Sequence, residues 1–423
     1  MRSILLIVLL WAAGSAAVCQ FHLRQPKPTV FKQVGTRSLF LRKQLDTLQL
    51  RDNETATVHC PTGLTIAMSE YNAATKLVGT AAELVCKSGG IYLGDKQLMQ
   101  VSSGYVKCNA EYSQSIYESR KSLAGCPQQA MNLAIGYKLQ GDDDIKTVGI
   151  CFDLRTNQVR FVSYLAYAPS NAASYGYWNN EVNALQLDTY IGQLSDYFKF
   201  VSTSQFDSFV KKQPHLGDLF NSIFFEYASL LQEERPVFKE DVKSYSAMFN
   251  VVWSSRLRSG NWQHFLNALS AATDFVKYDI RVGVSGVAKL PLAHNCNMSR
   301  SLVIRTPEME SLPVPEHIWA RLRPLQPTTG DISEFVIVAH NSPYANLEDL
   351  NSVCTDICDE IPWLRDSVFG QLHLVPSYGV MHCCLADDID RRKLIDFPLE
   401  SPHTEKKFDD FLSSAQNSTA NSL

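Results

Sequence analysis

Three things are scarce in this sequence of 423 residues, and each scarcity removes a class of function. No apolar run is long enough to span a bilayer. The run from Ile4 to Ala13 falls well short of the roughly 20 residues that a transmembrane helix needs. Positive charge is not in excess either. Lys and Arg number 39 against 43 Asp and Glu, a net charge of −4, so the chain as a whole exerts no general pull on nucleic acid. A phosphate loop is also missing. The stretch ASYGYWNN carries Gly176 alone, with no Gly-Lys pair behind it.

Cysteine, by contrast, is plentiful. Eleven of them suit an oxidising compartment better than the cytosol. The opening MRSILLIVLLWAAGSAAVC predicts a secretory signal peptide over residues 1–17. Arg2 supplies the positive start, Ile4 to Ala13 the apolar core, and Gly14-Ser15-Ala16-Ala17 the small residues for cleavage near Ala17. The expectation is a soluble, secreted, extracellular protein with no membrane partner. In that setting Asn53, Asn297 and Asn417 are glycosylation sequons.

The composition, 45% hydrophobic and 10% aromatic, supplies enough apolar material for a large core or two domains. Residues 18–50 read as a basic, irregular leader through Arg24, Lys27, Lys32, Arg37, Arg42 and Lys43. Residues 51–128 show short alternating segments between Gly and Ser turns, and contain Cys60, Cys86, Cys108 and Cys126. They read as a small β-rich module tied by disulfides. A core domain follows over 129–398, and a polar, disordered tail over 399–423.

Within the core domain AIGYKL, TVGICFDL and QVRFVSYLAY read as antiparallel strands, with Cys126 and Cys151 as candidate partners. Residues 184–232 read as helix-rich, with Tyr190, Tyr197, Phe198 and Phe200 as core aromatics rather than a base-stacking platform. Cys354, Cys358, His382, Cys383 and Cys384 have the residue types of a zinc site but lack its two tight pairs. Disulfides drawn from Cys354 or Cys358 with Cys383 or Cys384 are the expectation. His340 and His373 read as structural.

The most informative stretch is Phe224 to Leu269. Ser246 to Trp253 is an apolar run of strand length, and Gly260-Asn261-Trp262 is turn chemistry. Trp262, Phe265, Leu266, Leu269 and Ala272 then recur at helical spacing. This stretch resembles the secreted insect-type DNA/RNA non-specific endonucleases, an endonuclease G-like family with a ββα-metal active site whose members can dimerise. The resemblance rests on Phe225, Leu230, Phe238, Asn250, Gly260, Asn261, Trp262 and Phe265, and weaker signals extend it over roughly residues 50–398. It implies an α+β fold, with a mixed or antiparallel central sheet flanked by helices behind the cysteine-bearing N-terminal module.

The residues that would carry the chemistry depart from the pattern. The family's Arg-Gly-His falls on Tyr227, Ala228 and Ser229, its metal-ligating Asn on Arg258, and its helix Glu on Leu266. A histidine base works because its ordinary pKa of about 6.5 lies near working pH, and a serine hydroxyl has no such pKa. Arg258 would repel the hard cation that an oxygen ligand should hold, and Leu266 removes a carboxylate from that cation's surroundings. The implied protein is a catalytically inactive nuclease relative, with Arg256 and Arg258 as candidate contacts for DNA, RNA or another polyanion and with no cofactor. One alternative is an active nuclease dependent on Mg²⁺ or Mn²⁺, using His215 or His264 as base. Another is a secreted glycoprotein with a protein partner and no nucleic-acid role. If the alignment holds, Tyr227, Ser229, Arg258 and Leu266 share one pocket.

Overall fold

The computed structural model describes residues 18–392 apart from 35–36, 42–45, 68–74, 78, 95, 100–103, 139–143, 167–180, 193–199, 214–219, 221–223, 233–242, 293–294, 306–311, 326–331 and 343–352. Residues 1–17, expected as a signal peptide, His215, Tyr197, Phe198 and the tail with Asn417 lie outside the described residues. The chain divides into two compact units, the first ending at Tyr112 and the second beginning at Ser113.

The first unit is all β. One sheet has five strands and the other six, and their apolar side chains share one core. Two disulfides cross between the sheets. Cys19 on the strand Val18–Leu23 bonds Cys86 on Ala81–Lys87, and Cys60 bonds Cys108 on Tyr105–Cys108. The leader expected over 18–50 is corrected here, because Val18–Leu23, Thr29–Val34, Arg37–Leu41 and Thr47–Arg51 are all strands of this unit. Cys19, Phe21 and Leu23 alternate inward at the period of a strand. The basic residues between such positions are paired outside: Lys27 with Asp46 at 2.6 Å and Lys32 with Glu54 at 2.5 Å. Cys126 is not part of this unit. It bonds Cys151 in the second.

The second unit is built on a nine-stranded sheet. From edge to edge its strands are Thr189–Tyr190, Ser115–Glu118, Met131–Tyr137, Ile145–Asp153, Gln158–Ala166, Tyr278–Ser285, His317–Pro324, Phe335–His340 and Met381–Leu385, and every neighbouring pair is antiparallel. With helices on this sheet and the β-rich unit before it, the architecture is α+β. Alternation along the strands gives the sheet two buried faces. One face carries Val148, Val162, Val282, Ala320 and Ile337, and packs against the helix Asn261–Ala272. The other carries Phe161, Trp319, Val336 and Cys384.

Cys354 bonds Cys384 and Cys358 bonds Cys383, so the Met381–Leu385 strand is tied down on both faces. The expected helix-rich stretch 184–232 is also corrected. Its described elements include the helix Thr203–Lys211, but also the strands Thr189–Tyr190 and Phe225–Ser229. Tyr190, expected in the core, is 61% exposed, because the edge strand that carries it has both residues facing solvent.

Candidate functional site

The long connection between Gln158–Ala166 and Tyr278–Ser285 holds a separate two-stranded hairpin. Phe225–Ser229 runs antiparallel to Asn250–Ser254, with Ser229 opposite Asn250, Tyr227 opposite Val252 and Phe225 opposite Ser254. The strand expected from Ser246 begins only at Asn250. Residues Lys243–Phe249 form a 3₁₀ turn, which an apolar run alone does not distinguish from a strand. The connection Ser255–Ser259 is one helical turn rather than loop, and the helix Asn261–Ala272 follows it. In this order the segment reads strand, strand, helix.

Gly260, Asn261 and Trp262 make the junction. A Cβ on Gly260 would lie 2.4 Å from the carbonyl oxygens of both Arg256 and Tyr378, a clearance that only glycine meets. Asn261 is fully buried, and its Nδ2 donates to the Leu372 carbonyl at 2.7 Å and the Gly379 carbonyl at 2.5 Å. Trp262 packs edge-on against Trp253, with ring centroids 5.3 Å apart, and against Phe265 at 5.4 Å. Asn341 anchors the hairpin from the sheet side. Its Oδ1 accepts from the Ser254 N–H at 2.6 Å, and its Nδ2 donates to the carbonyls of Val252 and Pro315 at 2.8 and 2.9 Å.

The two faces of the hairpin separate the residues expected to gather. Phe225, Tyr227 and Val252 face one core, where Tyr227 stacks on Phe206 at 4.3 Å and burial pushes its hydroxyl pKa up. Ala228, Val251 and Trp253 face the other core, which also takes Leu266. Tyr227 and Leu266 therefore do not share a pocket, and alternation puts Ser229 on the face of Tyr227. That expectation is corrected by the register of the hairpin.

Arg258 Nη1 stands 3.5 Å from Glu226 Oε2, so its charge meets an acid from the neighbouring strand. Ser229 Oγ accepts from the Leu231 N–H at 3.2 Å. His264 is half-buried, with its ring 6.1 Å from that of Tyr378, and Arg256 is exposed. Arg258 and Leu266, a cation and a hydrocarbon, do not fit a hydrated divalent ion.

Further chemistry-bearing groups lie elsewhere, among them His340 and His373, which the sequence marks as structural, and His317, which it does not single out. His317 and His340 face each other across neighbouring strands with ring centroids 4.5 Å apart. Burial, reinforced by His382, pushes His340 down to about 4, and burial with His340 pushes His317 down to about 3. Nearby, His373 Nε2 stands 2.9 Å from Asp356 Oδ2. Burial alone would lower His373, but the Asp356 carboxylate outweighs it and the pKa is raised.

Asp356, Cys358 and Cys383 approach one another as metal ligands would. Both sulfurs are consumed in a disulfide, and Asp356 Oδ1 accepts from the Cys358 and Cys383 N–H groups at 3.2 and 2.9 Å, which makes the cluster a lock on the fold. A second buried cluster joins Glu181 to Arg281, Arg321 to Glu334 and Asp390, and Arg323 to Asp279. For the first cluster the sequence offered Cys358 and Cys383, weighed as zinc ligands and read as disulfide partners, but not Asp356. The second left no signal, because its charges come from elements far apart in the chain.

The predicted disulfide cysteines are all paired, and Cys19 joins them. Of the sequons, Asn53 is exposed in a turn with φ +64°, and Asn297 lies in the strand Asn295–Ser301 with its side chain outside the described residues. Among the described residues no helix is long and apolar enough to cross a membrane. Neither the protein-family models nor the curated proteins contain a match to this chain.

Proposed function

We propose that this chain is a secreted, nuclease-like glycoprotein whose hairpin-and-helix segment has become structural, with residual polyanion binding at Arg256. The observation that carries this reading is the Arg258–Glu226 pair. It stands where the resemblance places the metal-ligating Asn, and a guanidinium held by its own acid neither binds a cation nor activates water. Leu266 buried in the core supports the same reading. Five disulfides among the described residues and the exposed Asn53 support an extracellular, glycosylated chain.

A protein partner is the second reading. It is favoured by the exposed side chains of Val368, Leu374 and Tyr378, in the segment that Asn261 ties down. A working Mg²⁺- or Mn²⁺-dependent nuclease is the third, with His264 or His215 as base.

Incubating the purified chain with supercoiled plasmid and single-stranded RNA, with and without millimolar Mg²⁺ or Mn²⁺, decides among them. The expected outcome is no cutting, together with salt-sensitive retention in a gel shift that weakens in Arg256→Ala. Metal-dependent cutting that disappears in His264→Ala or His215→Ala would reinstate an enzyme. Neither cutting nor retention would leave the protein partner.

A further inference from the structure

A cleft of about 240 Å³ adjoins the hairpin strand at Val251. Its other walls are the turn from Asp153 to Gln158, the end of the strand Tyr278–Ser285 with Gly286 and Val287, and Pro313 and Pro315. We infer that this cleft binds a small amphipathic carboxylate, its anionic head on Arg155 and Arg160 and its apolar body on the valine and proline wall. The inference does not rest on the polyanion reading, since none of the lining residues is Arg256 or Arg258.

The turn is held by a side chain of its own. Asp153 is 7% exposed, and its Oδ1 accepts from the N–H groups of Arg155 at 2.9 Å and Thr156 at 3.4 Å. Its Oδ2 takes the Arg160 Nε at 3.7 Å. Asp153 is thereby committed to the turn and to one edge of Arg160. The exposed Arg155 guanidinium and the two terminal nitrogens of Arg160 have no partner among the described residues. Two paired N–H groups in a planar fork match the two oxygens of a carboxylate.

Charge decides between monoanion and dianion. The guanidiniums of Arg155 and Arg160 face the Asp153 carboxylate in the cleft and the Glu316 carboxylate over Gly286 at its rim, so the four charges sum to zero. A single carboxylate on the arginine fork adds one negative charge, whereas a dianion would add two against the same pair of cations. Val159, Val251, Val284, Val287, Pro313 and Pro315 make most of the rest of the wall apolar, with Thr156, Gln158 and Ser285 as its further polar groups. An apolar wall with a few convergent polar groups is the ordinary make-up of a ligand site. A cleft of this size takes a carboxylic acid with a short apolar chain, and octanoate is the probe of that class.

Isothermal titration of the full secreted chain with octanoate, 1-octanol and acetate tests the inference. Octanoate is expected to bind at least tenfold more tightly than 1-octanol, which lacks the anion, and than acetate, which lacks the apolar body. Arg155→Ala, an exposed substitution that leaves Asp153 and Arg160 in place, should weaken octanoate at least tenfold. Val287→Trp, which fills the cleft without touching a charge, should abolish binding. Failure of the wild-type chain to bind octanoate would overturn the proposal. So would equal binding of 1-octanol, or an Arg155→Ala variant within twofold of the wild type.

Discussion

At Asn261 one side-chain amide holds the carbonyls of Leu372 and Gly379 to the start of a helix, in a fully buried setting. Replacing it by Ala leaves the Leu372 carbonyl with the bond it accepts from the Val375 N–H at 2.8 Å, and takes from the half-buried Gly379 carbonyl the bond that Asn261 supplies, at a cost of about 1–3 kcal/mol. Urea unfolding of Asn261→Ala is therefore expected to show a loss of about 2 kcal/mol. A loss below about 1 kcal/mol would mean that water reaches the Gly379 carbonyl. Histidines set the acid limb at the same scale. His340 and His317 have folded pKa values of about 4 and 3, below the ordinary value of about 6.5, so the unfolded chain takes up protons first. Their contribution is complete above about pH 6.5 and is lost as the pH falls towards 4, about 3 kcal/mol for His340 alone. His373, raised by Asp356, works the other way, and its contribution fades as the pH rises through its folded value. Thermal melts from pH 7 to 4 should show steep acid destabilisation, and His340→Leu should flatten it. An unchanged acid slope in that variant would place the titrating groups elsewhere.

The helix Asn261–Ala272 was legible at the scale of elements. Trp262, Phe265, Leu266, Leu269 and Ala272 recur at three and four residues, and all are buried. Each large apolar side chain stabilises the fold by roughly 1.5–3 kcal/mol through burial. The strand before it was harder to bound, since Ser246 to Phe249 is as apolar as Asn250 to Trp253 and yet forms a 3₁₀ turn. Hairpin register was not legible at all. It decides that Tyr227 and Leu266 enter different cores, and a shift of one residue would have reversed the faces. The disulfides of the N-terminal sandwich act at this scale too. Cys19 and Cys86 lie 67 residues apart, a loop for which chain entropy predicts about 4 kcal/mol of stabilisation. The double variant Cys19→Ser/Cys86→Ser should unfold the first unit at lower temperature and leave the second largely intact. Limited proteolysis that spares the first unit, or that runs past the boundary near Tyr112 into the second, would contradict that.

For the whole molecule, the nine-stranded antiparallel sheet and its two disulfide-tied faces supply the frame on which the hairpin sits. The buried pairs Glu181–Arg281, Asp279–Arg323 and Arg321–Glu334 occupy one of those faces. Removing one partner strands a buried charge, at about 3–5 kcal/mol. Glu181→Ala is expected to destabilise by that amount in denaturant unfolding, and Glu181→Gln by less. Equal effects would show that the Arg281 charge reaches solvent.

Periodicity and residue chemistry in the sequence carried part of this fold. They marked the amphipathic helix, the tight Gly260-Asn261 junction, Cys151 as the candidate partner of Cys126, and disulfides between Cys354 or Cys358 and Cys383 or Cys384, whose pairing only the fold resolves. Cys19 and the strands over 18–51 were hidden because basic residues on outward positions masked an inward alternation. Which groups meet was set by the fold: Arg258 with Glu226, His317 with His340, and Arg155 with Arg160 around a cleft. Strand register and long-range closure set those meetings, and neither leaves a periodic trace in the chain.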